Sequence, residues 1–256
     1  MNKKIYIAVI CAFSLLLTVS SGFLIKHYYD SYKQAKIYDS LAEIVDKTPD
    51  DTSEVMNYSG DKTFIPEYQE LYLENNDMVG WLKIEDTKIN YPVMQSKDNL
   101  NFYLKHGFDK KYTNYGCPYV QENCDMEQPS DNIVIYGHNM NDGSMFSALT
   151  KYKSKEFWES HKYITFDTLT DKQNYEVIAA FKTVVYTDNA DSFKYYQFVN
   201  AETAEEFNAY IGKCKELSLY DTGLNAEYGD KLITLSTCEY SRTNGRFVVV
   251  ARLVKE

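Results

Sequence analysis

Two short β-branched runs near the C-terminal end constrain this chain most. They are Ile233-Thr234-Leu235-Ser236-Thr237-Cys238 and Arg246-Phe247-Val248-Val249-Val250-Ala251-Arg252-Leu253, separated by the turn-like Ser241-Arg242-Thr243-Asn244-Gly245. Runs rich in Val, Ile, Thr and Phe on either side of such a turn are strands able to pair as neighbours, with Cys238 and Arg246 near the same end. A third apolar run, Asn132-Ile133-Val134-Ile135-Tyr136, ends in Gly137-His138-Asn139 and opens into the loose stretch Met140-Asn141-Asp142-Gly143-Ser144. A strand-end thiol, a strand-end imidazole and a strand-start guanidinium are a candidate nucleophile, acid/base and oxyanion stabiliser.

Each residue alone has a plainer reading. Free cysteines are more often buried small hydrophobes than nucleophiles. A histidine after an apolar strand commonly just satisfies a backbone group, which is the default for His27, His106 and His161. Strand-end arginines are usually solvated, and Arg252 shares the face of Arg246, although only Arg246 lies at the cysteine end. Two features favour chemistry. Ser-Thr-Cys-Glu-Tyr is too polar for a strand interior, so the thiol belongs at an edge or cleft, and Gly137 permits close backbone approach beside His138. Ser236, two residues before Cys238 on the same strand face, either lines a substrate groove or is a satisfied strand-end hydroxyl.

Beyond Asp77 the texture is that of short strands: 79–84, 89–95, 118–121, 132–136, 163–167, 175–186, 231–237 and 247–254. Short strands with polar turns predict an antiparallel barrel or sandwich. Helical insertions are expected at 99–105, 144–160 and 201–219. The last carries Ala204, Phe207, Ile211, Cys214 and Leu217 on one face, with Thr203 as a cap and Glu205 and Glu206 in the first turn. Upstream, the spacing predicts one helix over 27–46 and a second over 66–75, with a polar linker at 47–64 between them. The expected division is an anchor at 1–26, a helical and linker region at 27–76, and a catalytic domain at 77–256.

Ile5 to Ile25 holds no charged residue and follows Lys3-Lys4. About 20 such residues span a bilayer as a helix. A cleaved signal peptide is the rival, with small residues at Val19-Ser20-Ser21, but its apolar core is usually only about 7–15 residues. An uncleaved single-pass anchor with the body outside the cell is therefore expected. The first 25 residues hold two lysines and no acid, leaving 25 basic against 37 acidic residues, a net −12. An acidic body argues against a nucleic-acid partner, whose phosphates are met by Lys and Arg. The five cysteines, Cys11, Cys117, Cys124, Cys214 and Cys238, form no CxxC pair and no zinc pattern. Cys117 and Cys124 are close enough in sequence for a bridge across a hairpin, which the spacing alone leaves open.

Thr-Leu-Ser-Thr-Cys, with an arginine eight residues later opening a Val-rich terminal strand, resembles the sortase signature; Tyr136-Gly137-His138 resembles that family's histidine motif. Ser236 within the cysteine motif, two helical segments before the strands, and the helix at 201–219 are most similar to class B sortases. The resemblance implies a mainly β fold, an eight-stranded sortase-type barrel with N-terminal helices and a long helix between late strands. It also implies a transpeptidase on the outer face of a Gram-positive membrane that cleaves a C-terminal sorting motif of secreted surface proteins and passes them to a peptidoglycan amine. Cys238 would form the thioester, His138 would exchange protons with the leaving and incoming amines, and Arg246 would hold substrate and stabilise the oxyanion. No cofactor is required. One departure stands out: many class B relatives have Ser and an Asp-x-Arg-Asn ending where this chain has Cys117 and Gln121-Glu122-Asn123. A cysteine hydrolase using water as acceptor, and a tyrosine-rich binding module among whose 24 tyrosines a partner docks, are the competing readings. No lid segment of the pilin-polymerising type is visible.

Overall fold

The computed structural model describes residues 3–48, 55–185 and 193–255. Residues 49–54 of the expected linker, and Tyr186 at the end of an expected strand, lie outside them. The chain divides into two compact units, Met1–Ser40 and Leu41–Glu256. Helix α1 (Lys3–Lys47) runs unbroken through the apolar run and the tyrosine-bearing segment that the spacing treats as a separate helix. No proline interrupts it, and Lys26 meets Asp30 one turn on at 3.0 Å across the junction. Phe13, Leu16, Leu17 and Phe23 are all exposed on it. With an 18-residue window of mean hydropathy 2.0, it is long and apolar enough to cross a membrane.

The second unit begins in the last turns of α1 and continues, among the described residues, with a small hairpin, β1 (Asn57–Ser59) and β2 (Lys62–Thr63), inside the expected linker. Helix α2 (Pro66–Glu74) follows, its proline in the first turn, where a missing N–H removes no helical bond. Tyr68 of α2 donates to Asp167 Oδ2 at 2.6 Å and stacks on Trp81, and Leu71 is fully buried.

Eight further strands close into a barrel: β3 (Met78–Lys83), β4 (Asn90–Met94), β5 (Tyr119–Val120), β6 (Asn132–Tyr136), β7 (Tyr163–Thr168), β8 (Asn174–Val184), β9 (Leu232–Cys238) and β10 (Gly245–Leu253). Their order around the barrel is β10-β8-β7-β3-β4-β5-β6-β9. Each coincides with an expected strand to within two residues. The pairing is not antiparallel throughout, as the short-strand texture predicts: β4–β5 and β6–β9 are parallel. Parallel neighbours need a long connection. The first crossing uses 95–118, with a 3-10 turn at Phe102–Leu104, and the second contains everything from β7 to helix α4 (Ala204–Leu217).

The insertion after β6 forms a 3-10 turn (Phe146–Lys153) and the short helix α3 (Lys155–Ser160). In α4, Thr203 caps the start by accepting from the Glu206 N–H at 3.2 Å. Its buried face is Phe207, Tyr210, Ile211 and Cys214, packed on Ile178, Phe181, Val248 and Val250. Each large apolar side chain buried there contributes about 1.5–3 kcal/mol. That packing anchors β8 and β10, the strand pair that carries Arg246.

Candidate active site

Cys238 ends β9 and Arg246 is the second residue of β10; the register sets them directly opposite each other. Opposite residues of an antiparallel pair share a face. On the other side of β9 the parallel ladder pairs Tyr136 with Ser236, so two residues further His138 comes level with Cys238. Three hydrogen bonds stitch this junction. Gly137 N–H donates to the Ser236 carbonyl at 3.2 Å, Thr237 Oγ1 to the Gly137 carbonyl at 2.7 Å, and Asn139 Nδ2 to the Cys238 carbonyl at 2.9 Å. A Cβ at Gly137 would lie 2.5 Å from Phe146 Cγ, so only glycine lets the chain pass over that ring. Cys238, His138 and Arg246 thus line one cleft of about 540 Å³, together with Leu104, Tyr119 and Tyr195.

His138 is half-buried, and its Nε2 lies 2.7 Å from the Leu104 carbonyl. A carbonyl only accepts, so Nε2 carries the proton and Nδ1 is left to exchange one. Burial pushes the His138 pKa below its ordinary value; the Leu104 contact opposes this and the Lys105 charge adds to it.

Cys238 is half-exposed, while Cys117, Cys124 and Cys214 are buried thiols outside any disulfide. Cys117 and Cys124 form no bridge: Cys117 donates to the Pro92 carbonyl and Cys124 to the Asn132 carbonyl, each at 3.5 Å. Burial pushes Cys124 up to about 11 and Cys214 up to about 12, which withholds the thiolate from both at neutral pH.

Arg246 is half-buried and places Nη1 3.0 Å from the Gly245 carbonyl. The N–H of Glu239, next to the cysteine, is already donated to that same carbonyl at 2.9 Å. The guanidinium keeps further N–H groups beyond that bond, so Arg246 can still donate on the face it shares with the thiol. Tyr119 and Tyr195 stay protonated, pushed up to about 12 mainly by burial, so they form a hydrogen-bonding wall rather than supply a base. Ser236 is 1 % exposed, and its hydroxyl lies 2.7 Å from Tyr195 Oη. The hydroxyl is thus engaged, and it braces the tyrosine that faces the cleft. Among the described residues no group of three or more His, Cys, Asp or Glu is placed to hold a metal ion.

Asn139, Tyr195, Glu239 and the Leu104 carbonyl escape sequence reasoning, because each acts through a partner distant in the chain. Only Glu239 leaves a trace, as part of the over-polar Ser-Thr-Cys-Glu-Tyr. Its carboxylate is buried between Lys153 (2.9 Å) and Lys182 (3.2 Å) and also accepts from the Ser241 N–H and hydroxyl. This ties the β9–β10 turn to β8 and to the insertion after β6. The Ser241 hydroxyl above all, with Lys153 and Lys182, outweighs burial and holds Glu239 at about 2. A carboxylate with a depressed pKa contributes stability above its ordinary range and loses it as pH falls from about 4.5 towards 2. Thermal unfolding of Glu239→Gln is expected to show a deficit against the wild type at neutral pH that narrows across that window.

Residues 82–254 match the family model "Sortase domain". The chain is similar to Sortase B of Listeria monocytogenes, 37% identical over 190 residues that cover 73% of this chain and 74% of the relative. Its fold superimposes on Bacillus anthracis sortase B with a TM-score of 0.75 and 31% identity, covering 90% of this chain and all of that one. A Staphylococcus aureus sortase B–substrate complex gives 0.74 and 27%, covering 89% and 99%.

Proposed function

Because this chain belongs to the sortase family and is a class B, sortase-type cysteine transpeptidase, we propose that it cleaves a C-terminal sorting motif of secreted proteins and transfers them to a cell-wall amine from the outer face of a membrane. The observation that carries this reading is the convergence of Cys238, His138 and Arg246 at one end of β9. A Staphylococcus aureus sortase B of the same fold is known as a substrate complex; a cleft on that fold bearing Cys238, His138 and Arg246 takes the same class of ligand. The apolar part of α1 is the proposed anchor.

In the proposed cycle the Cys238 sulfur, as thiolate, attacks the scissile carbonyl carbon. The C=O electron pair moves to oxygen, and the Arg246 guanidinium faces the resulting oxyanion. Collapse breaks the C–N bond, and protonated His138 gives the Nδ1 proton to the departing amine, leaving a thioester. An incoming amine then attacks, loses its proton to Nδ1, and expels the thiolate. The tyrosine wall keeps the cleft partly dry, so that an amine competes with water for the thioester.

The test uses the full chain in detergent with a library of sorting-type peptides, with and without an amine such as triglycine. Acceptor-dependent ligated product is expected; cleavage that stays purely hydrolytic with every amine offered would replace the reading by a hydrolase. Arg246→Ala is expected to lower kcat by about 10²–10³-fold, the scale of one lost oxyanion donor. Arg246→Lys should recover only part of that, since an ammonium lacks the planar fork. Steady-state peptide cleavage measures both.

A further inference from the structure

The geometry points to Gln121 as a positioning residue that tethers one wall of the catalytic cleft, the turn Tyr195–Gln197, and so sets the affinity for the peptide. Gln121 follows β5 and is 5 % exposed. Its own backbone is fixed: the N–H donates to the Val134 carbonyl at 2.9 Å and the carbonyl accepts from Gln95 Nε2 at 3.1 Å. From that base the side-chain amide spans two elements. It lies 2.9 Å from the Tyr196 carbonyl and 2.5 Å from Tyr136 Oη.

The Tyr196 carbonyl can only accept, so Nε2 must face it; Oε1 then faces Tyr136, whose hydroxyl must donate. No other uncharged side chain of this length offers one donor and one acceptor at its tip. Gln121 itself and the residues it holds, Tyr195, Tyr196 and Gln197, line the same cleft as Cys238 and His138, so the substrate-free measurement below separates the tether from direct contact with peptide. Tyr195 is tied separately to β9 through Ser236. The turn itself is thus tied to the cysteine strand through Ser236 and, through Gln121, to β5 and to the strand that leads to His138, while Asn132 of β6 holds the carbonyls of Phe198 and Val199 that follow it. Without the second tether, peptide binding must itself order the turn, which weakens binding but leaves the nucleophile and acid/base untouched.

This role rests on the reading that the cleft takes a peptide, so the test has one arm with substrate and one without. In the full chain, Gln121→Ala is expected to raise KM for the cleaved peptide about 10-fold, the scale of one buried carbonyl left unpaired, with kcat changed less than about 2-fold. Gln121→Glu should behave alike at neutral pH, because a carboxylate cannot donate to Tyr196. On acidification its protonated carboxyl regains a donor, at a pKa raised by burial, and the KM ratio to wild type should fall towards one between about pH 7.5 and 5. A merely space-filling role would not produce that rescue. In the substrate-free arm, hydrogen exchange of residues 193–199 should speed up in Gln121→Ala while the β9 and β10 amides remain as in wild type. An unchanged KM in a cleaving enzyme, a Gln121→Glu penalty independent of pH, or unaltered exchange at 193–199 would each overturn the role. An inert wild type would overturn the peptide reading instead, and the exchange arm would still decide the tether.

Discussion

Cys238→Ala is expected to abolish both cleavage and ligation, by roughly 10⁴–10⁶-fold, the range found when a covalent nucleophile is removed from an acyl-transfer site. The size follows from the chemistry: without the sulfur no thioester forms, and the remaining groups offer only binding and oxyanion stabilisation. The fold should survive, because Cys238 is a half-exposed strand end and its carbonyl, not its side chain, accepts from Asn139. An unchanged melting temperature beside lost turnover separates chemistry from collapse. Thiol labelling gives an independent reading. Cys117, Cys124 and Cys214 are buried, so in a Cys11→Ser background rapid alkylation is expected at Cys238 alone, with loss of activity in step. Activity that survives complete alkylation of Cys238 would remove it from the mechanism.

His138→Ala carries the second largest expected effect, about 10²–10⁴-fold in kcat, the contribution of a positioned acid/base. The tautomer adds sharper tests. The Leu104 carbonyl accepts from Nε2–H, and in the proposed cycle Nδ1 is the nitrogen that exchanges protons. Burial lowers the His138 pKa, with Lys105 adding to the effect, so NMR titration of the imidazole should give a midpoint below the ordinary value of about 6.5. The sign for a neighbour follows. Lys105→Gln removes a positive charge that disfavours imidazolium, so the His138 midpoint should move up; a downward movement would contradict the electrostatic account. His138→Gln keeps a polar side chain but moves no proton, and it should be as impaired as the alanine variant.

Strand positions were legible because alternation and β-branched composition are local properties. All eight barrel strands, the Thr203 cap and most of the buried stripe of α4 follow from residues within one turn or one hairpin. The change of composition at Lys26 predicts two helices where α1 is continuous, because helix propagation is indifferent to polarity where no proline or cap stops it. The antiparallel expectation failed at β4–β5 and β6–β9 because strand direction is set by the route of long connections, which no local period records.

In the site, the Thr-Leu-Ser-Thr-Cys motif, its downstream arginine and the Tyr-Gly-His stretch name the chemistry. The hairpin between β9 and β10 already implies that Cys238 and Arg246 face each other. His138 is 100 residues away, and only the parallel β6–β9 ladder brings it level with the thiol. The same holds for Leu104, which chooses its tautomer, for Lys153 and Lys182, which hold Glu239, and for Gln121, which holds the cleft wall. By itself the sequence determined the strands, the reactive residue types and the family to which they belong, because short-range pattern and motif carry that information. The tertiary structure alone decided proton placement, the burial that shifts each pKa and the tethers of the cleft, because those depend on distances between residues that become neighbours only when the barrel closes.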